Sequence, residues 1–274
     1  IFMQGAILVF AFLGILIIAD QDNFAPQASA LPGSSEEATA LQSGKQQTEV
    51  FPLTLFAVAG MMIFPIATDF ITLFVALEVL SLPLYLMAGL SRRRRLLSQE
   101  AALKYFLLGA YSSAFFLFGA ALLYGYSGSL SLNGLTDAIR GAGGNDVFLL
   151  LGIAFLSVGL LFKVGAVPFH SWTPDVYQGA PTPITGFMAA ATKAAAFGAT
   201  LRIFYVGLDA AQVSWKPIIS VIAVITMIVG SVAAISQRDM KRMLAFSSIA
   251  HSGFILTAVV SLNKNALSAT LFYL

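Results

Sequence analysis

The sequence predicts an all-α protein, a polytopic bundle of transmembrane helices. Of its 274 residues, 58% are hydrophobic and only 10% are charged, against about 25% charged in ordinary soluble domains. Such a chain cannot cover its surface with polar side chains, so most of its solvent is lipid. Its apolar runs are close to the ~20 residues of a spanning helix, and none shows the two-residue alternation of a β-barrel. Backbone groups in lipid must pair within their own segment, which favours helices.

Composition also excludes several classes of function. The chain has no cysteine, which excludes disulfides, thiolate metal sites and iron–sulfur ligation on this chain. Its net charge of +2, without a basic stripe, does not indicate a nucleic-acid partner. It contains no Walker loop, dinucleotide glycine motif or nucleophile–base set. Because it begins with Ile and its last apolar run stops at Leu274 without a polar flank, we expect a fragment truncated at both ends, not one that starts with a signal peptide.

The apolar runs define the predicted membrane spans, which are 1–19, 50–67, 69–90, 98–126, 147–178, 182–206, 217–236, 241–262 and a last one from 266. The segment 20–49, rich in Gln, Ser, Ala and Glu, is predicted to be a mobile extramembrane loop. The glycine-rich segment 127–145 is predicted to be a second extramembrane loop. Arg92–Arg95 follow the third span, and basic residues at 238–242 follow the seventh. Alternate crossings place both clusters on one side, the cytoplasmic side or its equivalent.

The span at 147–178 is predicted to be interrupted. It is longer than one crossing needs and too short for two crossings with a turn. Pro168 and Pro174 each remove a helix hydrogen bond, which predicts a break between them. Broken backbone at membrane depth is tolerated only where protein or water surrounds it, and transporter ion sites are commonly built there. An ordinary proline kink is the alternative interpretation.

Three ionisable residues lie far from any loop: Glu78, Lys163 and Lys193. By insertion scales, a charge at the centre of a span costs about 2.5–3.5 kcal/mol unless it is paired or hydrated. Each one could be a satisfied structural ion, but together they predict a polar path across the bundle. A lysine beside a carboxylate stays charged, whereas desolvation favours its neutral form. We therefore expect Glu78 to pair with Lys163, and Lys193 to take or pass a proton as that pair opens.

The two histidines are further candidate links in this path. His170 lies at the predicted break, and His251 lies in the eighth span beside several serines. Imidazole can accept and donate a proton in one relay. A structural hydrogen-bonding role and a pair of haem ligands are the alternatives.

Three further charged residues are predicted to have local roles, two at the cytoplasmic start of the fourth span and one between the prolines of the break. Glu100 and Lys104, one turn apart, are expected to form an interfacial ion pair. Asp175 is expected to cap the second half-helix or to hold the break in place.

Several motifs resemble one membrane-protein family. They are FKVGAVPFHSWTPDVYQGAPTPITGF from Phe162, SQRDMKRMLAFSSIAHSGFIL from Ser236, and LEVLSLPLYLMAG around Glu78. Over roughly Phe51–Leu262 they are similar to the antiporter-like membrane subunits of the proton-pumping NADH–quinone oxidoreductase, respiratory complex I. The WTPDVYQGAPTP wording is closest to the subunit N branch. The same family includes subunits L and M and the multi-subunit sodium/proton antiporters.

The resemblance implies a fold and a set of site residues. The family has two inverted five-helix repeats, each with a broken helix, so 50–206 would be the first repeat and 217–274 the start of the second. Glu78 and Lys163 would match the family's ion pair, and Lys193 its central proton-transfer lysine. His170 and His251 would lie near the hydrophilic axis. A further basic residue, in the second broken helix, would lie beyond the end of this sequence.

The resemblance also implies a function, that of a proton-translocating subunit of NADH–quinone oxidoreductase. The chain would then belong to an enzyme while carrying no cofactor or metal itself. NADH, FMN, iron–sulfur clusters and quinone would bind to partner subunits, and other membrane subunits and lipid would surround the chain. The expected location is a bacterial plasma membrane. The alternatives are a subunit of a multi-subunit cation/proton antiporter and a non-conducting structural membrane subunit.

Overall fold

The computed structural model describes residues 2–19, 33–42, 49–90, 95–142 and 146–274. Within these ranges nearly all secondary structure is helical, and the only extended pairing is an isolated bridge between Asp69 and Ser131. The helices are α1 (Phe2–Ala19), α2 (Ser35–Gln42), α3 (Val50–Ile63), α4 (Phe70–Ala88), α5 (Arg95–Ser127), α6 (Leu132–Ala142), α7 (Val147–Val164), α8 (Trp172–Gly179), α9 (Thr182–Phe187), α10 (Lys193–Arg202), α11 (Gln212–Ile235), α12 (Met240–Ser261) and α13 (Lys264–Tyr273).

Length and apolar composition identify the helices that can cross a membrane. Among the described residues, seven helices meet both conditions: Phe2–Ala19, Phe70–Ala88, Leu96–Ser127, Val147–Val164, Thr182–Gly207, Asp209–Ile235 and Met240–Ser261. A shorter apolar helix covers Val50–Ile66. The protein is a multi-pass integral membrane protein, and the prediction of an all-α transmembrane bundle is confirmed.

Polar residues set the starting points of several spans. The side chain of Asp69 accepts from the backbone N–H of Thr72 at 2.8 Å, and Asp239 accepts from that of Arg242 at 3.1 Å. These caps satisfy backbone donors that have no partner within the first turn of a helix. Helices α4 and α12 therefore each begin at a defined residue.

Small residues bring neighbouring helices close together. A Cβ on Gly230 of α11 would collide with the backbone of Ala250 on α12, and a Cβ on Gly119 of α5 with that of Leu156 on α7. In lipid, where apolar burial gives helices little driving force, such close approach supplies van der Waals contact. These two contacts account for the tight packing of α11 on α12 and of α5 on α7.

The segment predicted as the loop 127–145 instead contains helix α6. Leu132, Leu135 and Ile139 are buried, and their spacing places them on one face of a helix. The hydroxyl of Thr136 on the same helix donates to the carbonyl of Gly207 at 3.1 Å. The glycines obscured this amphipathic pattern, so the loop prediction was wrong for Leu132–Ala142.

Two predictions fall partly on residues that the structure does not describe. Within the predicted loop 20–49, Ser35–Gln42 form α2, and 20–32 and 43–48 lie outside the described residues. The arginine block Arg92–Arg95 also lies outside them, apart from the backbone of Arg95 at the start of α5.

The predicted interrupted span is two separate helices, not one kinked helix. Helix α7 ends at Val164, followed by Gly165 in the left-handed region with φ +75°. Helix α8 begins at Trp172, so the break covers 165–171, slightly earlier than the prolines indicated. Pro174 falls in the first turn of α8, where its missing N–H has no intrahelical acceptor to lose. Only Pro168 lies in the break.

The next span has irregular pitch around Lys193. Thr182–Gly207 is one continuous stretch in which Met188–Thr192 and Ile203–Gly207 form π-helical turns. Such turns are rare and are frequent at functional sites. The first of them ends immediately before Lys193.

Candidate functional site

Lys163 lies in the last turn of α7 and is only 3% exposed. Its Nζ donates to Oγ of Ser81 on α4 at 2.7 Å, and that hydroxyl donates to the carbonyl of Leu77. The same Nζ lies 5.7 Å from the ring centroid of Tyr105, close enough for a cation–π attraction. The amine is therefore held by a hydroxyl and an aromatic face in the interior of the bundle.

Glu78 does not form the predicted ion pair with Lys163 in this structure. Among the described ion pairs, none within 4.0 Å joins the two residues. The Oε1 atom of Glu78 is buried and has no hydrogen-bond partner in the described part of the chain. Glu78 and Ser81 are three residues apart on α4 and so share one face of that helix. Lys163 contacts Ser81, and the carboxylate of Glu78 lies one turn of α4 from that serine.

Lys193 is half-buried on α10 and contacts α12. Its Nζ donates to the carbonyl of Ser248 at 2.6 Å and to Oγ of Ser252 at 2.8 Å. The Ser252 hydroxyl in turn lies 2.8 Å from the carbonyl of Val164. Since Val164 follows Lys163 directly, one serine connects the second lysine with the end of the helix that carries the first.

His251 lies close to Lys193, whereas His170 does not contact either lysine. Both His251 and Lys193 line an open cavity of about 500 Å³ between α10, α12 and α13. Nδ1 of His251 lies 2.6 Å from the hydroxyl of Tyr273 in the same cavity. His170 is half-buried in the break, with its ring 6.4 Å from that of Phe246. Its Nδ1 is buried and has no hydrogen-bond partner among the described residues.

Side chains from neighbouring helices satisfy the backbone that the break exposes. The indole N–H of Trp172 donates to the carbonyl of Phe162 at 3.0 Å. The hydroxyl of Thr226 on α11 accepts from the N–H of Val167 at 3.0 Å. These contacts replace helix hydrogen bonds where lipid offers no substitute. They were not predicted, although a lone threonine in an apolar helix is a usable signal for such a role.

A charged cluster joins the starts of α5 and α12 to α8. Asp175 accepts from Lys104 at 2.8 Å and from Arg242 at 2.6 Å. Lys104 also pairs with Glu100 at 2.7 Å, and Arg242 donates to Oε1 of Gln178 at 3.1 Å. The predicted pair of Glu100 and Lys104 is therefore present but belongs to a larger cluster. Of the two predicted roles for Asp175, its contacts favour holding the break in place.

No metal site is evident in the described ranges. They contain no group of three or more His, Cys, Asp or Glu side chains that could hold a metal ion. The chemistry that this arrangement offers is proton transfer between amines, hydroxyls and imidazole.

The chain is similar to proteins of known type. It is 58% identical over 299 residues to NADH-quinone oxidoreductase subunit N of Rhodococcus opacus, covering 100% of this chain and 55% of that protein. The protein of the same name from Mycobacterium tuberculosis strain H37Rv is 58% identical over 294 residues, with the same coverage. The chain therefore spans about half the length of the curated relatives it matches.

The chain is also similar to two solved structures. A chain of respiratory complex I from Thermus thermophilus, with bound aureothin, is 39% identical and superposes with a TM-score of 0.74 over 99% of this chain and 54% of that one. A chain of the Mrp complex from Dietzia sp. superposes with a TM-score of 0.79 at 24% identity, covering 99% of this chain and 47% of that one, which shows a shared fold.

A family match covers most of the sequence. Residues 67–274 match the family described as NADH:quinone oxidoreductase/Mrp antiporter, TM. That range includes Glu78, Lys163, Lys193 and both histidines. The chain belongs to the NADH:quinone oxidoreductase/Mrp antiporter membrane family.

Proposed function

We propose that this chain is part of a proton-translocating membrane subunit of NADH–quinone oxidoreductase, respiratory complex I. The observation that carries the proposal is the connection from Lys193 through Ser252 to Val164, next to Lys163. A buried amine and a half-buried amine on two spans are costly in a membrane, and the hydrogen-bonded connection from Lys193 to the residue that follows Lys163 supports a shared role. The name of the relatives that are 58% identical supports the same conclusion.

In this proposal, the charge near Lys163 controls the proton on Lys193. Lys163 contacts Ser81 here, and Glu78 lies one turn away with an unpaired oxygen. A small movement along α4 would exchange the hydroxyl for the carboxylate and so change the electric field at Lys193. Moving a proton against 100 mV costs about 2.3 kcal/mol, which sets the minimum change in interaction energy. His251 would exchange protons with Lys193 through their common cavity. His170 would be a further proton-transfer group at the break.

The driving reaction would take place on partner subunits. We place NADH, FMN, the iron–sulfur clusters and quinone on those subunits. Neighbouring antiporter-like and small membrane subunits would flank this one in a bacterial plasma membrane. The subunit would then contribute proton movement to a translocating enzyme without holding a redox centre.

Alanine substitutions at Lys163 and Lys193 test the proposal. In membrane vesicles that carry the full-length protein in its complex, NADH oxidation and vesicle acidification are measured together, with assembly checked on native gels. We expect each substitution to lower the number of protons moved per NADH severalfold. Lys264→Ala, which removes an exposed lysine at the start of α13, is the matched control. Normal pumping by a fully assembled Lys163→Ala complex would refute the proposed mechanism.

The fold shared with the Dietzia Mrp chain favours a second candidate, a subunit of a cation/proton antiporter. This candidate predicts sodium-dependent proton flux in vesicles that lack any NADH dehydrogenase. Co-purification with flavin and iron–sulfur proteins, without such flux, would exclude it. If all variants pump normally, the buried charges serve helix packing and the subunit is structural.

A further inference from the structure

The Ser252 hydroxyl is placed between three polar groups and has one hydrogen to donate. Its Oγ lies 2.8 Å from the carbonyl of Val164, 3.0 Å from that of Ser248 and 2.8 Å from Nζ of Lys193. The residue is 1% exposed, although it lines the same open cavity as Lys193. Which of these groups receives the hydroxyl hydrogen depends on the protonation state of Lys193.

A protonated Lys193 fixes the direction of this hydrogen bond. An ammonium group donates and cannot accept, so the lysine donates to Ser252 Oγ. It also donates to the Ser248 carbonyl at 2.6 Å, the shorter of the two contacts to that oxygen. The hydroxyl is also nearer to the carbonyl of Val164, at 2.8 Å, than to that of Ser248, at 3.0 Å, and both differences direct its hydrogen to Val164.

The Val164 carbonyl needs this donor. It is among the last four carbonyls of α7, which have no partner within the helix. Two other carbonyls of that turn are satisfied, since Leu161 accepts from the N–H of Ala166 at 2.9 Å and Phe162 accepts from Trp172. An unsatisfied buried carbonyl is unfavourable, because it has lost its hydrogen bonds to water without gaining a replacement.

A neutral Lys193 allows the arrangement to reverse. Its nitrogen then has a lone pair and accepts a hydrogen bond, so the Ser252 hydroxyl can rotate about its Cβ–Oγ bond towards the lysine. The carbonyl of Val164 loses its donor as a result. No covalent bond forms or breaks in this step, because the hydroxyl hydrogen stays on Oγ and the lysine proton has already left.

We propose that Ser252 is a positioning residue. Its hydroxyl rotates when Lys193 gains or loses a proton, and this rotation changes the hydrogen bonding at the end of α7, the helix that carries Lys163. This inference rests on the proposed function and adds an effect in the opposite direction, from Lys193 to the helix of Lys163. The charge near Lys163 acts on Lys193 through the field, and the proton on Lys193 acts on the Lys163 helix through one hydrogen bond. The two lysines would then change state alternately.

Three substitutions in the full-length protein test the role of the hydroxyl, with the same vesicle assay and assembly check. Ser252→Ala removes the donor, and we expect protons moved per NADH to fall at least threefold. Ser252→Thr keeps a hydroxyl at this position and should restore most of the pumping. Thr200→Val is the control, because that buried hydroxyl on α10 donates to the carbonyl of Ala196 in its own helix and has no other hydrogen bond among the described residues. This variant should pump normally.

The possible outcomes separate this inference from the proposed function. If Lys193→Ala lowers pumping but Ser252→Ala matches Thr200→Val, the function stands and the role of Ser252 is refuted. If Ser252→Thr is as impaired as Ser252→Ala, the residue acts through packing, which also refutes it. Should Ser252→Ala fail to assemble, Ser252→Cys replaces it: the thiol is a weak donor, so an intermediate loss supports the inference and normal pumping contradicts it. Normal pumping by Lys193→Ala refutes the proposed function itself.

Discussion

Replacing Asp175 by Asn is expected to destabilise the arrangement of α8. The substitution keeps the size of the side chain and removes the charge that both Lys104 and Arg242 contact. It therefore breaks the only described ion pairs that connect α8 with α5 and α12. Helix α8 would remain attached to the rest of the bundle through Trp172 and its apolar side chains.

The magnitude follows from the distances and the exposure of the groups. A hydrogen bond to a charged group contributes about 1.5–3 kcal/mol when buried, and exposed ion pairs contribute about 0.2–1 kcal/mol. The side chains of Asp175 and Arg242 are 31% and 30% exposed at 2.6 Å separation, so we assign that contact about 1.5 kcal/mol. Lys104 is 42% exposed, and its contact contributes about 0.5 kcal/mol. The expected loss in the free energy of unfolding is about 2 kcal/mol.

Detergent-induced unfolding of the purified full-length protein, followed by circular dichroism, measures this loss. Glu100→Gln is the control, because Glu100 is 57% exposed and pairs with Lys104 one turn away. That pair should contribute no more than about 0.5 kcal/mol. A double-mutant cycle with Arg242→Gln isolates the Asp175–Arg242 contact. An Asp175→Asn loss no larger than that of Glu100→Gln would show that the cluster does not hold α8.

Three further changes test the break and its surroundings. Gly165→Ala adds a Cβ at φ +75° and should lower the free energy of unfolding by about 1–2 kcal/mol. Gly186→Ala, whose Cβ meets nothing within 4 Å, is the control and should not lower it. Equal effects of the two variants would contradict the strain argument. Trp172→Phe keeps an aromatic ring but removes the indole donor to the Phe162 carbonyl, with an expected loss of about 1 kcal/mol in the same measurement. A neutral result would mean that the N–H of Gly165, which also donates to this carbonyl at 3.0 Å, satisfies it alone. Ser81→Ala removes the hydroxyl acceptor of Lys163 and should reduce the number of protons moved per NADH severalfold. Ser81→Thr keeps a hydroxyl and should leave that number unchanged. Equal pumping by both variants would exclude a role for this hydroxyl.

Hydrophobic patterning predicts the bundle because lipid leaves few alternatives. Runs of spanning length must be helices, and the described ends of α4 and α12 lie close to the predicted boundaries since Asp69 and Asp239 cap them. The same rule made Lys163 and Lys193 recognisable, because a charge far from any loop is rare enough to need a reason. Helix α6 was missed because its glycines masked a three- and four-residue apolar spacing.

Contacts between helices could not be predicted from spacing along the chain. Ser81 and Glu78 share a face of α4, and only the rotation and depth of α7 decide which of them Lys163 contacts. The contacts of Asp175 with α5 and α12 likewise depend on how α8 is placed after the break. The position of the break itself was shifted because Gly165, which permits the left-handed turn, is a weaker signal in the sequence than two prolines.

The π-helical turn at Met188–Thr192 makes the backbone pitch of the segment before Lys193 as important as its composition. A π turn holds one residue more than an α turn, and each residue of an α-helix rotates the chain by about 100°. Wound at regular α pitch, the same residues would turn Lys193 by about that angle relative to α9. The amine would then face a different neighbour, although no polar group had been removed. In this span, the backbone pitch therefore helps to set the direction of the amine.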